Sequence, residues 1–225
     1  MKVPREDALR TQQRLLEVAR DAFAEMGYRK ATVSEICERA KSNVAAVNYH
    51  FGDKETLYVK TWRHAFHESL KAHPPDDGVS AHAPPEERLA GRVRALLRRL
   101  MSTQNKAFLI VLRELASPTG LLDEVTRKDL LPLREKMEGV IRELLGPHAS
   151  RTQVQYCTTG IVSQCIFPMF LKRMNREGQE GRSDFSGIDD IESYADHVVK
   201  FSLAGICSIR EEAEKKNKMN PQGHS

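Results

Sequence analysis

The stretch Lys41–Tyr58, KSNVAAVNYHFGDKETLY, decides how the rest of the chain is read. Asn43 is a helix-capping residue type, because its side-chain oxygen can accept from the unpaired N–H groups of a first helical turn. Gly52 tolerates the positive φ that ends a helix. Between them lies a helix of about two turns, with Val44 or Val47 and then Phe51 inward. Its other side carries small residues first and then Asn48, Tyr49 and His50. Asp53 is placed to cap a further helix, with Lys54, Glu55 and Thr56 in its first turn.

Working outward, Leu15, Ala19, Ala22, Phe23 and Met26 recur at helical spacing, and Gly27 closes the run, giving a helix over about 9–26. Thr32 with Glu35 three residues on forms a capping box at the start of a short helix over about 33–40. Leu57, Trp62, Phe66 and Leu70 carry the fourth helix over about 54–71. Two short helices joined by a tight turn and backed by a longer one have the layout of a helix-turn-helix unit. Its second short helix enters a major groove about 12 Å wide, so its leading residues must be small. Val44, Ala45 and Ala46 satisfy that requirement.

Composition limits the alternatives. The 225 residues are 40% apolar and 29% charged, with net charge +4, a balance that supports a globular core. Residues 1–63 hold 12 Lys and Arg against 9 Asp and Glu, and the remainder 23 against 22. The positive excess thus sits where the helix-turn-helix pattern lies, as an anionic partner requires. No run is long and apolar enough for a membrane span, and MKVPREDALR lacks the core of a secretion signal, so a cytoplasmic protein without membrane association is expected. Cys37, Cys157, Cys165 and Cys207 lie in apolar helical patterns without metal-ligand spacing. No metal or cofactor is implied. Neither a nucleophile elbow nor a Gly-rich phosphate loop occurs, and the chain does not read as an enzyme.

The remainder is helical in period throughout, so the fold class is all-α. AHPPDDGVSAHAPPEE breaks the pattern after the fourth helix and reads as a long exposed loop. Leu89, Val93, Leu96, Leu97, Leu100 and Met101 then alternate with arginines, predicting one amphipathic helix over 88–104 with a basic solvent face. Further helices are expected at about 106–116, 121–145, 150–174 and 189–214. EGQEGRSDFSG reads as a flexible connector, and residues 215–225 as a flexible tail.

The run from Thr11 to Gly27, then ATVSEICERA, then KSNVAAVNYHFGDKETLY, resembles the N-terminal domain of the TetR family of bacterial transcription regulators over about sixty residues. NYHFGDKETLY and RELASPTGLLDEV also resemble the branch of that family named after CecR. The resemblance implies an N-terminal helix-turn-helix three-helix domain over 1–53. Helix 4 is a connector opening a C-terminal helical ligand-binding and dimerisation domain over 54–214. It assigns base reading to Asn43, Val44, Ala45 and Ala46, and phosphate contacts to Thr32, Tyr49, His50 and Lys54. Asn48 stands where many relatives carry tyrosine, and as a further DNA-contact candidate its amide can bond either a phosphate or a base. The Tyr49 ring is expected to pack against helix 1 with its hydroxyl outward.

The same resemblance implies a homodimer on a palindromic double-stranded operator and a pocket for a small-molecule effector. Candidates for the pocket are Trp62, Phe66, Phe108, Leu112, Arg113, Phe167 and Met169, with Arg113 suggestive because a buried guanidinium seeks an anion; the alternatives for Arg113 are that neighbouring Glu114 competes for that place or that it lies on a solvent face. Gly160, Ser163 and Gly205 are the candidates for the dimer interface, their alternative being positions inside the core. The implied function is repression relieved when the effector binds. A helical adaptor acting through protein contacts is the alternative that composition leaves open.

Overall fold

The computed structural model describes residues 4–102, 105–177, 188 and 190–219. Among the described residues there are nine helices and no strand: α1 (Pro4–Lys30), α2 (Val33–Arg39), α3 (Val44–Phe51), α4 (Lys54–Ala72), α5 (Pro85–Met101), α6 (Lys106–Ala116), α7 (Asp123–Leu145), α8 (Arg151–Glu177) and α9 (Ile191–Met219). The all-α expectation holds, and α6 coincides with the helix read at 106–116. By packing, the chain forms two compact units, neither continuous in sequence. The first comprises Met1–Ala72 with Thr103–Asp129, and the second His73–Ser102 with Leu130–Ser225.

In the first unit, α1 is the central element. It packs against α2, α3, α4 and α6, and α4 packs on α6. Leu15, Ala19, Ala22 and Phe23 of α1 are fully buried, together with Ile36, Val47, Leu57, Tyr58, Trp62 and Ile110. Ala19 and Ala22 keep the α1 surface low, and the Phe23 ring meets Tyr58 edge-on at 4.8 Å. Each such buried ring or branched aliphatic contributes roughly 1.5–3 kcal/mol.

Gly27, at φ 75° and ψ 171°, breaks α1 near the residue expected from sequence. That backbone conformation is one L side chains rarely adopt. The carbonyls left open at the break are taken by Arg113 of α6, whose guanidinium donates to Glu25 O at 2.8 Å and Ala24 O at 3.5 Å. The Arg113 head group is therefore occupied by backbone of its own unit. That corrects its expected role as the anchor for a ligand anion.

In the second unit, α5 packs against α8 and α9, and α8 against α9. Leu89, Val93, Ala95 and Leu97 are buried with Ile141, Leu145, Val154, Cys165, Ala195 and Val198. The segment 73–84 is not the free loop expected. Asp76 O lies so close to α5 that a Cβ on Gly91 would approach it to 2.5 Å, and Val79 covers the same spot. Asp77, at φ 55°, directs its carboxylate to Arg94 at 3.3 Å and Arg98 at 2.6 Å.

The basic face of α5 is likewise not a solvent face. Arg88 grips Glu143, Arg98 also binds Glu192 at 2.8 and 2.9 Å, and Arg99 is buried. The apolar period alone cannot show where a loop folds back over arginines. At the C-terminus α9 continues to Met219, so residues 215–219, expected to belong to a flexible tail, are helical. Of the connector expected at 177–187, Glu177 instead ends α8, and residues 178–187, like 220–225, lie outside the described residues.

Candidate nucleic-acid interface

The turn joining α2 to α3 is set by backbone bonds: Ala40 N to Ile36 O, Lys41 N to Glu38 O and Ser42 N to Cys37 O, at 2.9–3.0 Å. Lys41 adopts φ 48° within it, an uncommon conformation for a lysine. Asn43 caps α3 as read from sequence, its Oδ1 accepting from Ala46 N at 2.9 Å. The Asn43 amide nitrogen remains for an external acceptor. Thr32 caps α2, its hydroxyl oxygen accepting from Glu35 N at 3.1 Å. The return half of the expected capping box is replaced, because the Glu35 carboxylate binds Arg39 at 2.7 Å.

α3 turns Val47 and Phe51 into the core and leaves Asn43, Val44, Ala45, Asn48 and Tyr49 exposed, with Ala46 and His50 half-buried. The inward choice at the start of α3 is thus Val47, not Val44. Tyr49 is 80% exposed, so its ring does not pack on α1 as expected; it meets the His50 ring edge-on at 4.9 Å. No carboxylate occupies the first turn of α3. The positive end of the helix is therefore uncompensated locally, which suits an approaching phosphate.

Lys54 opens α4, two residues after the Gly52 that ends α3. Its ammonium sits 4.4 Å from the Tyr28 ring centroid, and burial lowers its pKa below the ordinary lysine value. Asp53 caps α4 by accepting from Thr56 N at 2.7 Å; that bond holds its carboxyl below the usual carboxylate range. Lys41, exposed in the turn before Asn43, is a cation the periodic reading passed over. Its position two residues before the α3 cap was the available signal.

The remaining candidates separate by unit. In the first, Trp62 and Phe66 are buried and stack at 5.0 Å, and Phe108 and Leu112 are half-buried on α6. The Trp62 indole N–H and the Thr61 hydroxyl are buried without a hydrogen-bond partner among the described residues. In the second, Met169 is half-buried, but Phe167 is 61% exposed and does not line an interior.

Gly160, Ser163 and Gly205 are exposed, which removes the reading that they are core positions. A Cβ on Gly160 or Gly205 would meet nothing within 4 Å. Tyr156 (73% exposed) and Phe167 share the α8 face of Gly160 and Ser163, and Phe201 (64% exposed) lies one turn before Gly205 on α9. Tyr156 and Phe201 were not singled out from sequence, although the 156, 160, 163, 167 spacing carried the signal.

Capped short helices with an exposed reading face define a helix-turn-helix DNA-binding protein. Residues 15–60 match the profile described as bacterial regulatory proteins, tetR family. Residues 85–206 match that of the HTH-type transcriptional dual regulator CecR, C-terminal domain. The chain is 26% identical over 206 residues to the HTH-type transcriptional repressor AcnR of Corynebacterium jeikeium, covering 85% of this chain and 95% of that one. To the HTH-type transcriptional dual regulator CecR of Shigella flexneri it is 27% identical over 165 residues, covering 68% and 73%. A TetR-like transcriptional regulator from Rhodococcus sp. RHA1 shares the fold, with TM-score 0.64 at 15% identity over 87% of this chain and 95% of that one. The chain belongs to the TetR family of transcriptional regulators, in the branch defined by the CecR C-terminal domain. Among the described residues no helix is long and apolar enough to cross a membrane.

Proposed function

We propose that the protein is a repressor that binds a palindromic operator as a homodimer and leaves it when a small-molecule effector binds. The observation that carries the DNA-binding part is the α3 face, where Val44, Ala45, Asn48 and Tyr49 are exposed while Val47 and Phe51 anchor the helix from behind. Asn43 and the aliphatic residues after it meet base edges, the latter suited to thymine methyl groups. Thr32, Tyr49, His50 and Lys54 meet phosphates. Two such faces related by a two-fold axis read half-sites about 34–36 Å apart.

The exposed Tyr156, Gly160, Ser163 and Phe167 of α8, with Phe201 and Gly205 of α9, support the homodimer. Apolar rings left in water beside glycines gain by burial against a second copy. An effector shifts the equilibrium between DNA-bound and free forms only by its difference in affinity for the two. Operator DNA must therefore weaken effector binding by the factor with which effector weakens operator binding.

The test is affinity selection of fragmented genomic DNA on the purified protein at near-physiological salt, followed by sequencing. Enrichment of one inverted repeat supports the reading. Recovery of random fragments by protein shown by mass spectrometry to carry no bound small molecule refutes it.

A further inference from the structure

Several arginines of the first unit are already occupied. Arg20 pairs with Asp21, Arg39 with Glu25 and Glu35, and Arg63 with Asp129. Arg29 and Arg113 donate to backbone carbonyls. Two exposed cations stand apart from these, Arg14 on α1 and Lys41 in the turn before α3. Among the described residues neither forms an ion pair, although Glu17 lies three residues after Arg14 and Glu38 three before Lys41. The Arg14 guanidinium donates to Lys41 O at 3.5 Å, which brings the α1 cation to the turn. That contact uses one N–H and leaves the rest of the fork for an external acceptor.

Lys41 is also placed where lysine is unfavourable. Its φ of 48° is a left-handed conformation that glycine or asparagine adopts at lower cost. Its backbone is tied on both sides, the N–H donating to Glu38 O at 3.0 Å and the carbonyl accepting from Arg14. The ammonium has no partner among the described residues, so the side chain does nothing to hold the turn. Strain of this kind persists at functional positions. The first turn of α3 carries no carboxylate to oppose an anion at that end. Tyr49, His50 and Lys54 stand at the other end, beyond a helix whose eight residues span about 12 Å.

We infer that Lys41 and Arg14 receive backbone phosphates of duplex DNA at the N-terminal end of α3. The reading helix is then held to the backbone at both ends, and α1 joins the contact surface. Such contacts fix register and orientation and carry no sequence information. This rests on the reading of the chain as an operator-binding regulator.

The test titrates the full chain, across salt concentrations, against a fluorescent mixed-sequence duplex of about 30 base pairs, three helical turns. Phosphate contacts act whatever the sequence. Lys41→Gly and Arg14→Gln should each lower the slope of log K against log salt by about one, and the double variant by about two. Lys41→Arg, which keeps the charge, should retain the wild-type slope. So should Lys136→Gln, which removes an exposed cation of the second unit. Relief of the backbone at residue 41 should raise the Tm of Lys41→Gly by about 1–3 °C. Unchanged slopes in Lys41→Gly and Arg14→Gln, an equal fall in Lys136→Gln, or a lower Tm in Lys41→Gly would each overturn the proposal. The wild-type titration tells the two readings apart. Salt-dependent binding with unaltered slopes in both variants removes the grip at Lys41 and Arg14 alone. Wild-type protein that fails to bind the duplex even at low salt removes the operator-binding reading and the grip with it.

Discussion

The Tyr58 hydroxyl donates to Glu114 Oε2 at 3.0 Å in a buried site, joining α4 to α6. The other carboxylate oxygen accepts from Thr119 N at 2.7 Å, Thr119 Oγ1 at 2.7 Å and Gly120 N at 3.0 Å. Tyr58→Phe should cost about 1–2 kcal/mol, one hydrogen bond to a charged acceptor. Glu114→Ala should cost about 3 kcal/mol or more, because it strands several donors in the interior. Urea denaturation of the two variants checks the order, and equal costs would contradict it.

The same pair sets an alkaline limit. Burial raises the Tyr58 pKa above the ordinary tyrosine value, and the Glu114 charge and hydrogen bond raise it further. The folded state therefore keeps its proton where the unfolded chain loses it. The associated stability is fully present below about pH 10 and declines as pH rises above that value. The stability difference between wild type and Tyr58→Phe should shrink above pH 10, which a pH series of melts would measure.

At the DNA face, Tyr49→Ala should leave stability within about 0.5 kcal/mol, since the ring is exposed. It should nevertheless weaken binding to related and unrelated operators alike, as loss of a phosphate contact does. Lys54→Ala should lower the slope of log K against log salt by about one. It should also cost about 0.5–1 kcal/mol of stability through the lost contact with Tyr28. Anisotropy titrations across salt concentrations distinguish the two variants.

Gly160→Arg tests the assembly without disturbing the protomer. Space around Gly160 is open within the chain, and replacing a helical glycine gains about 0.5–1 kcal/mol of intrinsic helix preference. The variant should stay helical while sedimentation equilibrium shows a monomer. A dimer with unchanged affinity would place the interface elsewhere.

Gly91→Ala makes the opposite case. Its methyl group would meet the Asp76 carbonyl at 2.5 Å, a backbone atom that cannot rotate away. A loss of about 1–3 kcal/mol is expected from overpacking, read from the shift in urea midpoint.

The sequence was most informative where structure is local. Asn43, Gly52 and Asp53 define ends of helices through their own chemistry, and the structure has each in that role. What escaped is set by residues distant in the chain. Arg113 looked like a cation awaiting a ligand because its acceptors, Ala24 O and Glu25 O, lie on another helix. The arginines of α5 looked solvated because nothing in their period announces that residues 76–79 fold over Gly91. Glu114 was read only against its neighbour Arg113, because one carboxylate in an apolar run does not reveal how many donors converge on it. The reading face of α3 was legible, but the pose of Tyr49 was not, since an aromatic ring at that register is compatible with either packing or exposure.

The discontinuity of the first unit has a consequence for biosynthesis. The ribosome releases α1 to α4 well before α6, with α5 made in between and destined for the other unit. Until α6 emerges, the surfaces of α1 and α4 that it covers have no mate, and the carbonyls at the Gly27 break lack Arg113. The DNA-reading half of the molecule therefore matures only after more than half of the polypeptide has been translated. Exchange of reading heads between relatives should transplant residues 103–129 together with residues 1–72.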